Sequence, residues 1–263
     1  MDLGLSGKVA FVAAASKGLG RAIAEELAAE GAELALCARG AEVLGETAQS
    51  IAKTTGRTPL TVPGDVSDPA AVETMIAKAI ARFGRIDILV TNAGGPPSGK
   101  FESLAPDMWK SATELTLMSV VNLVRAVLPG MKERGYGRII NVTSIAVKQP
   151  VDGLMLSNSL RAAVTGFART LANEVAPLGI TVNNLLPGYT RTERVEQLSA
   201  AAAKRDGITP EAALGRWESE IPMGRLGDPR EFAAAAAFLA SGRASYITGQ
   251  SIAVDGGWIR SLL

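Results

Sequence analysis

Histidine is absent from this chain of 263 residues, and cysteine occurs once, at Cys37. The absence of histidine excludes histidine-based catalytic triads and histidine metal sites, and no cluster of cysteines with carboxylates replaces them, so no metal is expected. A single cysteine excludes an intrachain disulfide and fits a reducing compartment. Cys37 lies in the apolar run 34–38, which predicts a small side chain buried in a strand.

Aromatic residues are few, at 5%, and neither sign of charge dominates, because 27 basic and 26 acidic residues leave a net charge of +1. Without a basic stripe or an acidic tail, we expect neither a nucleic-acid partner nor a disordered tail. The N-terminus shows no apolar signal segment, and no run of about eighteen apolar residues occurs. These features predict a soluble, cytoplasmic protein that acts on a small molecule and has no membrane partner.

Hydrophobic residues make up 47% of the chain, and short apolar runs alternate with longer amphipathic segments. Such alternation is typical of a parallel sheet that is covered by helices on both faces. The predicted fold is α/β, a Rossmann-like doubly wound parallel sheet of about seven strands, in a single domain over residues 1–263. Strands are predicted at 8–13, 33–39, 59–62, 86–91, 137–143, 179–186 and 249–254, and helices at 18–31, 41–55 and 69–83.

The polar, helix-prone segment 192–220 interrupts the last strand-helix-strand unit. In a protein of one domain this insertion is most simply a lid over the site, and a helical insertion without a role in the site is the alternative. Doubly wound sheets bind ligands beyond the carboxyl ends of their strands. The motifs that directly follow strands are therefore the ones that predict function.

A glycine-containing loop at residues 13–20 leads from the first strand into the first helix. Gly18 and Gly20 allow the backbone to turn tightly and to approach a pyrophosphate, which the N-terminus of the following helix favours. At the end of the second strand an acid binds the ribose 2′-hydroxyl of NAD, whereas a base accommodates the 2′-phosphate of NADP. Arg39 lies there and Lys17 lies in the loop, so NADP(H) is favoured over NAD(H). Two solvated surface bases are the alternative interpretation.

The motifs after later strands resemble, in order along the chain, those of the short-chain dehydrogenase/reductase family. Residues 65–66 (Asp-Val) resemble its adenine contact, residues 92–94 (Asn-Ala-Gly) its motif beside the cofactor ribose, and residues 187–192 its nicotinamide-binding segment. Ala14 stands where the family has the first glycine, and its methyl group weakens binding if the residue needs a positive φ. The resemblance implies a cofactor site made of Ala14, Ser16, Lys17, Gly18, Leu19, Gly20, Arg39, Asp65, Val66, Asn92, Ala93, Gly94, Pro187, Gly188, Thr190 and Thr192.

The same resemblance places the catalytic positions, where family members use Asn, Ser, Tyr and Lys. Ser144 matches the serine that hydrogen-bonds the substrate oxygen, and it alone of the four is retained. Thr116 stands at the asparagine position, Ser157 at the tyrosine position and Arg161 at the lysine position. An aliphatic hydroxyl is a far weaker acid than a phenol, and a guanidinium cannot usefully release a proton near neutrality.

The chain resembles in particular a divergent subgroup similar to 3-oxoacyl-[acyl-carrier-protein] reductases. This implies an NADP(H)-dependent oxidoreductase that interconverts a carbonyl and an alcohol in a small carbonyl compound or acyl thioester. Ser144 would polarise the carbonyl, and the proton would come from water, Tyr189 or Lys148. The alternatives are a catalytically impaired nucleotide- or acyl-binding protein, and a dehydration or isomerisation in which Arg161 holds an anion. The family commonly assembles as a homotetramer through its fourth and fifth helices and its C-terminal strand.

Overall fold

The computed structural model describes residues 2–262, so the two ends of the predicted domain, Met1 and Leu263, lie outside the described residues. One sheet of seven parallel strands has the order β3-β2-β1-β4-β5-β6-β7. Its strands are β1 (Val9–Val12), β2 (Glu33–Leu36), β3 (Leu60–Thr61), β4 (Ile88–Thr91), β5 (Gly137–Val142), β6 (Ile180–Pro187) and β7 (Ser251–Val254). This order confirms the predicted doubly wound fold.

The helices between the strands begin and end at residues with clear local signals. Asp68 and Asp228 cap the starts of two of them by accepting backbone N–H bonds, and Gly56, Gly84 and Gly135 end three of them in the left-handed conformation. The helices are α1 (Gly18–Ala29), α2 (Ala41–Thr55), α3 (Pro69–Phe83), α4 (Pro106–Thr113), α5 (Ser119–Arg134), α6 (Met155–Val175), α7 (Glu193–Asp206), α8 (Pro210–Glu220) and α9 (Pro229–Ala240).

Several predicted strands are longer than the observed ones, and β2 shows why. It ends at Leu36, although the apolar pattern continues to residue 38. Cys37 is fully buried, and its N–H still donates to the Val12 carbonyl at 3.0 Å. The pattern reports burial, and burial continues past the last paired residue because the following loop is itself covered. The predicted strand end at residue 39 is therefore wrong, while the predicted burial of Cys37 is confirmed.

Side chains alternate between the two faces of the sheet and divide the core into two layers. Helices α1, α2 and α9 cover one face, where Val12 packs with Ile23, Leu44 and Phe232. Helices α3, α5 and α6 cover the other face, to which Phe11 contributes. Since both faces are covered, β1, β4 and β5 are buried along their whole length, as expected of a parallel sheet.

Helices α4 and α5 join through a π-helical turn, Glu114–Met118, into one continuous helix over Pro106–Arg134. This helix of 29 residues meets the length and composition of a membrane span. Its inner face, however, which includes Leu123, Val127 and Met131, is buried in the core beneath the sheet. Core packing therefore accounts for the apolar residues of that face.

The predicted helical insertion at 192–220 consists of two helices, α7 and α8, that pack against each other between β6 and α9. Val195 of α7 and Trp217 of α8 join Leu186, Ile221 and Trp258 in a small separate hydrophobic cluster. This cluster attaches the insertion to the carboxyl end of β6, on the edge of the sheet where the predicted site lies.

Candidate active site

The carboxyl ends of β1 and β4 lie side by side where the winding of the sheet reverses. β2 pairs with one edge of β1 and β4 with the other, and the Ala13 N–H donates to the Val90 carbonyl at 3.0 Å. The loops after β1 and β4 therefore diverge and leave a crevice between them. Doubly wound sheets bind ligands at this topological position.

A ladder of polar side chains crosses four strands next to this edge. Thr91 Oγ1 donates to Asn141 Oδ1 at 2.8 Å, and Asn141 Nδ2 donates to Asn184 Oδ1 at 3.0 Å. Asn184 Nδ2 then donates to Ser251 Oγ at 3.0 Å. The four residues are register partners on β4, β5, β6 and β7. Because buried polar groups need partners, the ladder fixes the relative positions of the strand ends that carry the site.

The glycine loop has the geometry that its sequence suggested. Ala14 has φ of 50°, the one positive φ at a non-glycine position among residues 2–262, and Gly18 has φ of 57°. A Cβ atom at Gly20 would lie 2.2 Å from the Ala14 carbonyl oxygen and 2.8 Å from Asn92 Nδ2. Only glycine fits there, so α1 begins in direct contact with the loop and with the residue after β4.

Two contacts hold this loop from behind. Thr47 Oγ1, on α2 and fully buried, donates to the Ser16 carbonyl at 2.9 Å, and the Ala15 N–H donates to the Cys37 carbonyl at 2.9 Å. Burial raises the pKa of the Cys37 thiol to about 12, despite a hydrogen bond from the backbone of Ala14. Cys37 is therefore an uncharged, buried residue that packs behind the loop.

Lys17 and Arg39, the two bases expected at the 2′-phosphate, differ in their surroundings. Arg39 is exposed and has Asp65 as a charged neighbour. Burial raises the pKa of Asp65, but hydrogen bonds from Ser67 and the charge of Arg39 outweigh it and leave that pKa below its usual value. Lys17 Nζ instead pairs with Glu193 Oε2 at 2.5 Å. This ion pair joins the glycine loop to the first residue of α7.

Other predicted cofactor residues lie at or after the carboxyl ends of the strands. Thr192 lies beside Gly18, since a Cβ atom at Gly18 would be 3.7 Å from Thr192 Cγ2. The Gly188 N–H donates to the Val254 carbonyl at 3.0 Å, and a Cβ atom there would lie 2.7 Å from the Asp255 Cα. Predicted positions that follow the strands in the same way are Val66, Asn92, Ala93, Gly94, Pro187 and Thr190, with Leu19 in the first turn of α1.

The four predicted catalytic positions lie on three elements that contact one another. Helix α6 carries Ser157 and Arg161 one turn apart, and it packs against the π-helical turn with Thr116 and against the short helix after Ser144. Ser144 Oγ accepts the Ala146 N–H at 3.1 Å. Ser157 is buried, and its hydroxyl has no hydrogen-bond partner within residues 2–262.

Unmet hydrogen-bonding capacity is concentrated around these positions. Thr116 Oγ1 and Thr143 Oγ1 are buried, and neither has a partner among the described residues. An unpaired buried hydroxyl is costly, so such groups are retained where they have a role or where another molecule binds. Both belong to the segments that flank Ser144.

Arg161 has a neighbour that the sequence did not single out. Its Nη1 donates to the Val142 carbonyl at 2.9 Å. Arg194, from the first turn of α7, donates through Nη2 to the Pro96 carbonyl at 3.1 Å, and its guanidinium lies against Gly95. Burial, with the charge of Arg194 second, lowers the pKa of Arg161 to about 10. Arg161 therefore remains charged at neutral pH, and burial lowers the pKa of Arg194 as well.

The two candidate proton donors outside the tetrad are not favoured by their surroundings. The Tyr189 ring stacks on Trp217 with centroids 4.7 Å apart and meets Trp258 edge-on at 5.9 Å. Burial, and secondarily Glu220, raises the pKa of Tyr189 to about 12, away from neutrality. Lys148 is exposed to solvent on the loop after β5.

Two surface cavities flank this region without being centred on it. One, of about 390 Å³, lies between α7 and α8 and is lined by Thr192, Val195 and Leu214. The other, of about 300 Å³, lies between Tyr189, Phe232 and Gly256. Ser144 and Arg161 line neither cavity. The candidate site is therefore defined by the residues at the ends of the strands.

Sequence reasoning missed Thr47, Arg194 and the continuation of the polar ladder. Thr47 lies on a regular helix, and no local signal shows that its hydroxyl reaches Ser16, 31 residues away in sequence. Arg194 lies in a polar helix in which charged side chains are ordinarily solvated. The asparagines in β5 and β6, at positions 141, 183 and 184, were a signal for the polar ladder, since buried strands rarely hold asparagine.

This arrangement of glycine loop, strand-end cations and strand-end serine is typical of dinucleotide-binding proteins of the doubly wound α/β class. The family model described as "Enoyl-(Acyl carrier protein) reductase" matches residues 13–259. The chain is 38% identical over 255 residues to the 3-oxoacyl-[acyl-carrier-protein] reductase FabG of Escherichia coli (strain K12), covering 97% of this chain and 98% of that protein. The chain belongs to the short-chain dehydrogenase/reductase family.

Solved structures give the same result. L-Sorbose reductase from Gluconobacter frateurii, complexed with NADPH and L-sorbose, is 37% identical and superimposes with a TM-score of 0.94 over 100% of both chains. A variant of actinorhodin polyketide ketoreductase with NADPH is 33% identical, with a TM-score of 0.93 over 99% of this chain and 100% of that one. YwfH, an NADPH-dependent reductase involved in bacilysin biosynthesis, is 31% identical, with a TM-score of 0.92 over 97% and 99%.

Proposed function

We propose that the protein is an NADP(H)-dependent oxidoreductase that interconverts a carbonyl and an alcohol, in the manner of a 3-oxoacyl reductase. The observation that carries this proposal is the start of α1. Its N-terminus has no side-chain cap and no acidic residue in the first turn, and Gly20 brings it against the loop. Unpaired N–H groups in such a position suit a pyrophosphate. The NADPH named for L-sorbose reductase and actinorhodin ketoreductase agrees with this.

The chain offers groups for each part of the cofactor. The backbone at Gly18 and Gly20 would hold the pyrophosphate, Arg39 the 2′-phosphate and Asp65 the adenine, with Asn92 and Thr192 beside the nicotinamide end. Lys17 would reach the 2′-phosphate after separating from Glu193. When bound, NADPH supplies a hydride. The residues around it position the substrate and prevent access of bulk water.

Ser144 is the group proposed to act on the substrate oxygen. Because its Oγ accepts the Ala146 N–H, its hydroxyl hydrogen remains free to donate to a carbonyl. Helix α6, which carries Ser157 and Arg161, packs against the short helix that follows Ser144. Tyr189 is a poor proton donor because its pKa is raised to about 12, so water is proposed as the proton source.

The proposal is tested by mixing the purified protein with NADPH and a panel of ketones and 3-oxoacyl thioesters, and by following the loss of NADPH absorbance. Consumption by the wild type should fall about 100- to 1000-fold in Ser144→Ala, as it does when one oxyanion donor is removed. Tyr189→Phe is the matched control and should retain consumption. Calorimetric binding of NADPH without consumption would instead support the impaired, nucleotide-binding alternative.

Cofactor preference, assembly and the role of α7 and α8 complete the proposal. Arg39→Ala should weaken NADPH binding by about tenfold, as expected for loss of a charge-assisted contact, and should leave NADH binding unchanged.

We propose that α7 and α8 form a lid over a small-molecule site, that the protein is cytoplasmic and that it is a homotetramer. Light scattering after size-exclusion chromatography tests the last point.

A further inference from the structure

Two guanidinium groups near Ser144 have no acidic partner. Arg161 and Arg194 hold backbone carbonyls, at 2.9 Å and 3.1 Å, and take part in none of the ion pairs formed within residues 2–262. Val142 ends β5, and Pro96 lies in the loop that follows the neighbouring strand β4. Both guanidinium groups therefore lie at the same edge of the sheet, and the charge of Arg194 is one of the causes that lower the pKa of Arg161.

Other arginines of the insertion and its surroundings are paired. Arg205 lies 2.7 Å from Asp206, and Arg225 lies 2.6 Å from Glu231. Those pairs are exposed, whereas Arg161 and Arg194 are partly buried. Partly buried cations that repel each other are costly without a counter-charge. A ligand anion between them removes this cost.

We propose that Arg161 and Arg194 bind a carboxylate of the substrate, so that the substrate class is an oxo acid rather than a neutral ketone. This inference rests on the proposed function. Arg161 lies one turn beyond Ser157, and its acceptor, Val142, lies two residues before Ser144. The anion site is therefore next to the proposed carbonyl-binding hydroxyl. Guanidinium groups match carboxylates because their planar N–H groups bind both oxygens.

The phosphates of the nucleotide are the other source of oxyanions, and the topology argues against them. Lys17, Arg39 and the start of α1 already provide positive charge, and they follow β1 and β2. Arg161 is anchored at the end of β5, and β4 separates β5 from β1. The paired guanidinium groups thus lie on the substrate side of the crevice.

The first test measures binding without turnover. Acetoacetate, pyruvate and levulinate are titrated by calorimetry into the protein saturated with NADP⁺, each beside its methyl ester. We expect an acid to bind about 10- to 100-fold more tightly than its ester, the range for hydrogen bonds to a charged group. Equal binding of acids and esters overturns the inference. This test does not need a reaction, so it reports on the anion site even if the proposed function fails.

The second test compares variants of the NADPH-consuming enzyme. Arg194→Gln should raise KM for the preferred acid about 10- to 100-fold with little change in kcat, and should leave the methyl ester within about threefold. Arg205→Gln, on the exposed side of the same helix, is the matched control and should match the wild type. Arg194→Lys keeps the charge without the planar fork, so it should give an intermediate loss if Arg194→Gln is unstable.

The outcomes separate the two proposals. Equal losses for acid and ester, with NADPH still consumed, overturn the carboxylate site and leave the oxidoreductase standing. Weaker binding of NADPH itself in Arg194→Gln, by the same factor as the loss with the acid, assigns the anion to the cofactor and also overturns the inference. No consumption with any carbonyl compound removes the proposed function, and calorimetry then decides the anion site alone.

Discussion

Replacing Ala14 by glycine should stabilise the protein, which is unusual for a substitution that removes a methyl group. Ala14 has φ of 50°, in the left-handed region where a side chain is disfavoured. That conformation costs an L-residue about 1–2 kcal/mol. Glycine avoids this cost but lowers the stability by about 0.4–1 kcal/mol, because it gives the unfolded chain more conformational freedom. The net expectation for Ala14→Gly is a gain of about 0.5–1 kcal/mol in the free energy of unfolding.

Thermal unfolding measures this change directly. For a domain of this size, 1 kcal/mol corresponds to roughly 2–4 °C in Tm, so Ala14→Gly should raise Tm by about 1–4 °C. The neighbouring Ala15 is fully buried and has an ordinary φ. Ala15→Gly is therefore the control, and it should lower Tm because it loses a buried methyl group and loosens the unfolded chain.

The same substitution should also tighten NADPH binding if the protein binds the cofactor as proposed, because the methyl group of Ala14 then stands where the loop approaches it. Calorimetry of wild type and Ala14→Gly gives this comparison. If Ala14→Gly lowers Tm as Ala15→Gly does, the strain at Ala14 is not what the dihedral angle implies. An unchanged or weaker affinity would refute the close-approach part of the reasoning.

Three further predictions concern the walls and the closure of the crevice. Gly20→Ala places a Cβ atom 2.2 Å from the Ala14 oxygen, so it should cost about 1–3 kcal/mol in a denaturant titration and weaken NADPH binding; normal stability would contradict the packing. Glu193→Gln releases Lys17 from an exposed ion pair and should tighten NADPH binding about two- to fivefold relative to Glu196→Gln, whereas weaker binding would show that the pair supports the site. With its pKa raised to about 12, Cys37 should react with a thiol reagent at pH 8 only after unfolding in guanidinium, and fast labelling of the native protein would disprove its burial.

The predicted absence of the family tyrosine has a clear structural counterpart. Ser157 is buried on α6 and faces the elements that carry Ser144 and Thr116. Tyr189 is a poor replacement, because it is packed between Trp217 and Trp258 with a raised pKa. We therefore propose that Ser144 remains as the hydrogen-bond donor for a substrate oxygen, that Ser157 leaves the tyrosine position without a phenol, and that Arg161 keeps a cation at the lysine position.

Most of the fold could be predicted because its signals are local. Helix caps such as Asp68 and Asp228, and apolar runs such as Ile88–Thr91, act on the residues beside them. The strand ends were less predictable, as at Cys37, because burial continues where strand pairing stops. The motifs after the strands could be predicted for the same reason, since each motif follows its strand directly in the chain.

The sequence alone determined the alternation of strands and helices, the glycine loop after β1 and the register that places Ser157 and Arg161 at the positions of the family's tyrosine and lysine. The tertiary structure decided the positive φ of Ala14 and the contact of Arg194 with the Pro96 carbonyl. It also decided the pairing of Lys17 with Glu193, 176 residues apart. The physical reason is that periodicity and capping depend on neighbours in the chain, whereas these contacts depend on how α7 docks over the ends of the strands.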